Sequence, residues 1–257
     1  MKKLFSTLIS IALILSAFGF AQAGVQRRAR AASGSAQRRR SGLGFNERKI
    51  RESSRKLRRT ITVKYPQFIG KDERIAKLNS VISGMVTKQL ADYKKDFAAP
   101  EERMQTSGST YDLGYSVELG TNDLVSILFY IEAYYEGAAH PLHNTEAFNY
   151  DLNTGKELNL ADLFKPNSGY LNLISKYSIN DLKKQLGPDP DTDWIEKGAG
   201  PSEENFKSWN VSRKGLEITF DQYQVASYAE GPHEVVVPFS VLRNAIDPTG
   251  PLTKIAR

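Results

Sequence analysis

Residues Leu124 to Tyr135 are apolar at nearly every position: Val125, Ile127, Leu128, Phe129, Tyr130 and Ile131 leave almost no polar side to the segment. A strand apolar toward both faces belongs in the middle of a sheet that is covered on both sides over much of its length. Its neighbours then have to come from segments with one wet face. Tyr111, Leu113, Tyr115, Val117 and Leu119 alternate with polar residues and supply such a strand. Gly120-Thr-Asn-Asp123 reads as a turn between the two, so they should run antiparallel.

The rest of the chain fills out this sheet. Thr60 to Pro66 alternates and ends at a proline, which predicts a first strand at an edge. Ile75, Leu78, Ile82, Met85, Val86, Leu90, Tyr93 and Phe97 recur at helical spacing and predict a long helix over Lys71 to Phe97. Thr145 to Leu152 is a strand closed by the turn Asn153-Thr-Gly155. A helical turn over Asn159 to Phe164 follows, then a helix capped by Ser168 and ending at Leu186 before Gly187-Pro188. The Pro-, Gly- and Asp-rich stretch from Gly187 to Glu204 reads as a long loop. Phe206 to Val211 and Leu216 to Phe220 make a hairpin about Arg213-Lys-Gly215. Tyr223 to Phe239 reads as strand, turn and strand, and Ser240 to Ile246 as a last short helix. Strands and helices mix without a regular βαβ repeat. The expected class is α+β: a mixed, largely antiparallel sheet packed against one long and one medium helix.

Residues 1–23 have the layout of a secretory signal: Lys2 and Lys3, an apolar run from Leu4 to Phe20, then Ala21-Gln22-Ala23. The expected protein is exported, periplasmic or extracellular, with no transmembrane segment once the signal is cleaved; retention of the run as an anchor is the alternative. No cysteine occurs, so neither a lipidated N-terminal cysteine nor a disulfide is available, and the core alone must stabilise the fold. Residues 24–60 carry a net charge of +11 and residues 61–257 a net charge of −7. The basic stretch holds few large apolar residues, which predicts a disordered Arg-rich linker over residues 24–59. Its plain role is a spacer; its sharper one is contact with anionic envelope polymers, with nucleic acid disfavoured by export and by the acidic remainder. The folded part is expected to divide into residues 60–135, a strand-helix-strand subdomain, and 136–250, followed by a tail over 251–257.

Three motifs carry a resemblance: Glu136-Gly-Ala-Ala-His140-Pro141, Phe148-Asn-Tyr150-Asp-Leu152-Asn-Thr-Gly155-Lys-Glu-Leu158, and Tyr223-Gln-Val-Ala-Ser-Tyr228-Ala-Glu-Gly231-Pro232. With these the chain resembles the RsiV/PdaC-type extracytoplasmic domain family of bacteria from Thr60 to Ile246. The resemblance implies an envelope module of plural use. An anti-sigma member binds lysozyme through this domain, a deacetylase member carries it ahead of a separate catalytic domain, and a mycobacterial secreted antigen consists almost wholly of it. Here neither a sigma-binding segment before the apolar run nor a deacetylase domain after Ile246 is expected.

Catalytic chemistry is thinly represented. Without cysteine there is no thiol nucleophile or zinc-thiolate site, and no nucleophile-elbow serine or phosphate-binding glycine loop occurs. The three histidines are His140, His143 and His233. His140-Pro141-Leu142-His143 brings two imidazoles close in sequence, but Pro141 sets them in a turn, so no metal site is expected. Asp189, Asp191 and Asp193 alternate as in a calcium loop, yet Trp194 stands where the required glycine would be. No cofactor is expected. The binding candidates are Tyr134, Tyr135, His140, His143 and Trp194, since Tyr and Trp give large contact area at low entropic cost and Trp194 reads as exposed. The expected function is a non-catalytic envelope domain that binds a macromolecule, a lysozyme-like hydrolase or a cell-wall glycan. An envelope enzyme acting on glycan, or a structural module tethered by the basic tail, are the alternatives.

Overall fold

The computed structural model describes residues 42–96 and 108–256. Strands β1 (Phe45–Ser54), β2 (Arg59–Phe68), β3 (Ser109–Gly120), β4 (Leu124–Tyr134), β5 (Leu142–Asp151) and the two-residue β6 (Lys156–Glu157) form one sheet in that order. Only β2 and β3 run parallel; the helix α1 (Glu73–Asp96) lies between them in the chain, as a parallel connection requires. Strands β7 (Trp209–Val211), β8 (Gly215–Phe220) and β9 (His233–Pro238) form a second, antiparallel sheet. Helices α2 (Tyr170–Gln185), α3 (Thr192–Ala199) and the one-turn α4 (Phe239–Leu242) belong with this second sheet. The class is α+β with a mixed, largely antiparallel first sheet.

β4 lies in the middle of that sheet, between β3 and β5, and Leu124 to Phe129 are all buried. Val125, Ile127 and Phe129 face α1 and pack with Ile61, Val63, Leu78 and Ile82 in a first core. The opposite face of β4 is covered by the second unit, whose own core gathers Ile174, Leu182, Ile195, Phe206, Trp209, Ile218 and Phe220. A buried polar network joins the two. Ser126 Oγ donates to Asn149 Oδ1 (2.7 Å) and accepts from Asn210 Nδ2 (2.8 Å) and from the Val211 amide (3.0 Å). Its one donor and two lone pairs are thereby all used. Asn149 Nδ2 donates to the Trp209 carbonyl (2.7 Å) and Asn210 Nδ2 to that of Ile127 (2.9 Å).

Several sequence expectations are corrected. Residues 45–54, placed in the disordered linker of 24–59, form β1, and β1 rather than Thr60 to Pro66 takes the sheet edge. An edge strand needs only one partner and one half-covered face, so Ile50 and a full antiparallel register with β2 suffice to hold it. Residues 1–23 and 24–41, and Phe97 at the predicted helix end, lie outside the described residues. The boundary at 135/136 falls between β4 and β5, which are bonded neighbours, so the two units divide after β6 instead. Gly169, in the left-handed region, caps α2 in place of Ser168. The loop from Gly187 to Glu204 contains α3, capped by Asp191, whose carboxylate accepts the Trp194 amide at 3.0 Å. Tyr223 to Gly231 is a series of turns with one 3-10 turn (Tyr228–Glu230), not a strand.

Candidate functional site

Two of the three family-like motifs, distant in sequence, meet on the surface beside α3. The Tyr228 ring lies 4.3 Å from that of His140, and the Tyr228 hydroxyl donates to the Pro141 carbonyl at 3.3 Å. Tyr223 lies 5.5 Å from Tyr228, ring to ring, and 54% of it is exposed. The Trp194 indole N–H donates to the Tyr223 carbonyl at 3.0 Å. Trp194, Tyr223, Tyr228 and His140 thus form a strip of rings from α3 to the β4–β5 turn.

The strip is held from below. Tyr223 has φ 66°, a left-handed backbone that a tyrosine occupies only when its surroundings impose it. Gln224 supplies the imposition: its Nε2 donates to the carbonyls of Gly198 (3.0 Å) and Asn205 (2.9 Å), and its Oε1 accepts from the Asp221 amide at 3.2 Å. Gly198 is what permits this approach, because a Cβ there would lie 1.9 Å from the Gln224 carbonyl oxygen. Beyond Tyr223, Val225 and Ala226 enter the core, and Ser227 closes a capping box in which both its amide and its hydroxyl donate to Glu230 at 3.0 Å. The rings are therefore positioned by rigid turns, a requirement for binding without a large ordering cost.

At the base of the strip Asp221 accepts from the Thr145 amide (3.1 Å) and hydroxyl (2.8 Å), tying the second unit to β5. Burial pushes its carboxyl above the ordinary aspartate range, against the Thr145 bonds, which pull it down. Burial also raises Glu146, whose carboxylate accepts from Gln89 of α1, and the nearby Glu157 charge raises it further. Neither carboxylate lines the cavity of about 260 Å³ beside Asp123 and Lys254 or the one of about 280 Å³ beside Arg243 and Asp247. His233, at the start of β9, is pushed down by burial.

Of the five sequence candidates, His140 and Trp194 stand in the strip, linked through Tyr228 and Tyr223. Trp194 is half-buried on a helix rather than exposed in a loop. His143 turns away to the polar face of the first sheet, 3.6 Å from Glu132. His140 Nδ1 instead lies 3.0 Å from the Pro141 carbonyl, so the two imidazoles diverge. Among the described residues no group of three or more His, Asp and Glu side chains comes together to hold a metal. Tyr135 packs 5.9 Å from Tyr93 against the first core, and Tyr134 ends β4 outside the strip. Sequence reasoning did not single out Tyr223 and Tyr228 as contact residues; the signal was the pair of family-like motifs, each too short to bury its own rings.

Comparison with known proteins gives this arrangement a context. Residues 52–143 match the family model described as deacetylase PdaC, and residues 161–240 that described as a protein of unknown function, DUF3298. The peptidoglycan-N-acetylmuramic acid deacetylase PdaC of Bacillus subtilis (strain 168) is 27% identical over 184 residues, which are 72% of this chain and 38% of that protein. The chain thus matches well under half the length of this curated relative. A crystal structure of a DUF3298 family member from Bacteroides fragilis NCTC 9343 superposes with a TM-score of 0.60 at 17% identity, covering 85% of this chain and 99% of that one. A DUF3298 family protein from Pseudomonas aeruginosa PAO1 gives a TM-score of 0.56 at 17% identity, over 84% and 97% of the two chains. These likenesses establish the fold.

Proposed function

Since the chain is of the PdaC/DUF3298 domain type, we propose that it is an exported, non-catalytic cell-envelope domain that binds a wall glycan along the strip Trp194, Tyr223, Tyr228 and His140. The observation that carries the reading is that strip: rings of both family-like motifs, fixed by the Gln224 lock and partly open to water. Aromatic rings with a polar edge present flat apolar area to the faces of sugar rings, and the Tyr228, His140 and Trp194 bonds to backbone carbonyls hold those faces in place. The B. subtilis relative is named for action on peptidoglycan, which makes that polymer the first ligand to test.

A second reading, a lysozyme-like hydrolase as partner, is favoured by charge: residues 61–257 carry −7, which suits a basic protein. One pair of measurements separates them. Cosedimentation of the purified protein with insoluble peptidoglycan, and calorimetry against a C-type lysozyme, are each run at low and high salt. The glycan reading expects salt-resistant cosedimentation that Tyr223→Ala and Tyr228→Ala together weaken about tenfold or more. Retention unchanged in that variant discards the strip as the site, and salt-resistant binding to lysozyme alone replaces glycan with protein.

A further inference from the structure

The edge strand β1 pairs with β2 in a register that sets Lys49 directly opposite Lys64 and Arg51 opposite Thr62. Direct partners project to the same face, here the one away from α1, because the neighbouring Ile61 and Val63 of β2 are the residues that pack into the α1 core. Two lysines facing each other, with Arg51 on the diagonal, repel and cost stability. Among the described residues none of the three has an acidic group within ion-pair distance, although Glu47 is on the same face. The acidic residue of β1 that does pair is Glu52, and it pairs with Lys94 of α1, on the other side. At the β1–β2 turn the exposed Arg55 and Lys56 precede Leu57, itself 39% exposed, and Arg58, paired with Glu136 at 3.6 Å, follows it.

We propose that the β1–β2 hairpin is a contact surface for an anionic phospholipid membrane, with Lys49, Arg51 and Lys64 meeting headgroup phosphates and Leu57 entering the interface at the tip. Facing lysines with an arginine on the diagonal, kept at a cost to the fold while Glu47 and Asp112 lie elsewhere on the same face, are explained by an external anion that removes the repulsion. The exposed leucine between basic residues selects a lipid surface over a soluble polyanion, since only the former offers apolar depth beneath the charge. This surface is separate from the aromatic strip, so the two proposals stand or fall independently.

The test is flotation of the full protein with vesicles of phosphatidylcholine alone and of phosphatidylcholine with phosphatidylglycerol, at low and high salt. Binding should require phosphatidylglycerol and fall with salt. Lys49→Gln, Arg51→Gln and Lys64→Gln together should weaken it roughly 100-fold, while raising the melting temperature, because the repulsion between β1 and β2 is gone. Leu57→Ser should weaken it with the salt dependence unchanged. Peptidoglycan cosedimentation should be the same in all variants. Equal flotation of the triple glutamine variant and the parent protein would overturn the assignment to this hairpin. Equal binding to vesicles without phosphatidylglycerol, or binding to soluble polyphosphate but to no vesicle, would overturn the lipid.

Discussion

The two cores of this molecule are built by different means. The first is a broad sheet with a single long helix on one face, and its periodic residues, Ile75, Leu78, Ile82 and Val86 against Ile61, Val63 and Phe129, make it from regular elements alone. The second has three short strands and relies on turns, caps and close approaches: Gly198 under Gln224, Asp191 at the start of α3, and the Ser227–Glu230 box. The difference teaches where a binding site can arise. Regular elements leave flat faces, whereas irregular ones locked by side-chain-to-backbone bonds hold rings such as Tyr223 and Tyr228 away from the core.

The strongest way to break this contrast is to ask whether the cores fold apart. Phe148→Ala in the first core and Phe220→Ala in the second should each cost about 3–5 kcal/mol, since both rings are fully buried. Because Ser126, Asn149 and Asn210 bind the cores together, denaturant melts followed by near-ultraviolet and far-ultraviolet signals should give one coincident transition in both variants. Two separated transitions would show that the units are independent. Asn210→Ala should cost about 1–3 kcal/mol by leaving Ser126 and the Ile127 carbonyl short of a donor, and should be the change that first splits the transition. Gly198→Ala tests the lock, because its methyl collides with backbone: about 1–3 kcal/mol of stability, and loss of ligand retention by the strip even at temperatures where the protein stays folded. Trp194→Phe keeps a ring but loses the bond to Tyr223, for about 1 kcal/mol or less in this half-buried setting, read as a small fall in melting temperature.

The smallest effect is one of pH. Asp221 titrates higher in the folded chain than in the unfolded one, so the folded state holds its proton more firmly. Its contribution is full below the ordinary aspartate pKa and is lost as pH rises through the raised folded value. Glu146 and Glu157, also raised, act in the same direction from the first sheet. Asp221→Asn should flatten the decline in melting temperature between about pH 4 and 7. An unchanged slope would assign the decline to Glu146 and Glu157, and hence to the first core.

How much of this was legible in the sequence differs between the two cores in the same way. The apolar run of β4, the alternation of β3 and the stripe of α1 were read directly, because burial by periodic elements leaves a period of two or 3.6 in the chain. The turn at Gly155, with φ 67°, was read from residue type. The helix α3 was lost among Pro, Gly and Asp, since over eight residues its inward pair, Ile195 and Ala199, is too short a pattern to outweigh composition. Strand β1 was lost for a related reason: at an edge, only Ile50 and Phe45, the latter against Phe68 and Tyr115, pack on the first core, and charge dominates what remains.

The sequence by itself determined the α+β class, the central strand, the long helix and the family-like motifs, because each rests on local periodicity or on a turn residue with one permitted conformation. Only the tertiary structure decided that Tyr228 would reach His140, that Gln224 would anchor Tyr223, and that Lys49 would face Lys64. Those meetings depend on the register of strands and on the packing of units far apart in the chain, and free energy of that kind is summed over many weak contacts that no short stretch of residues records.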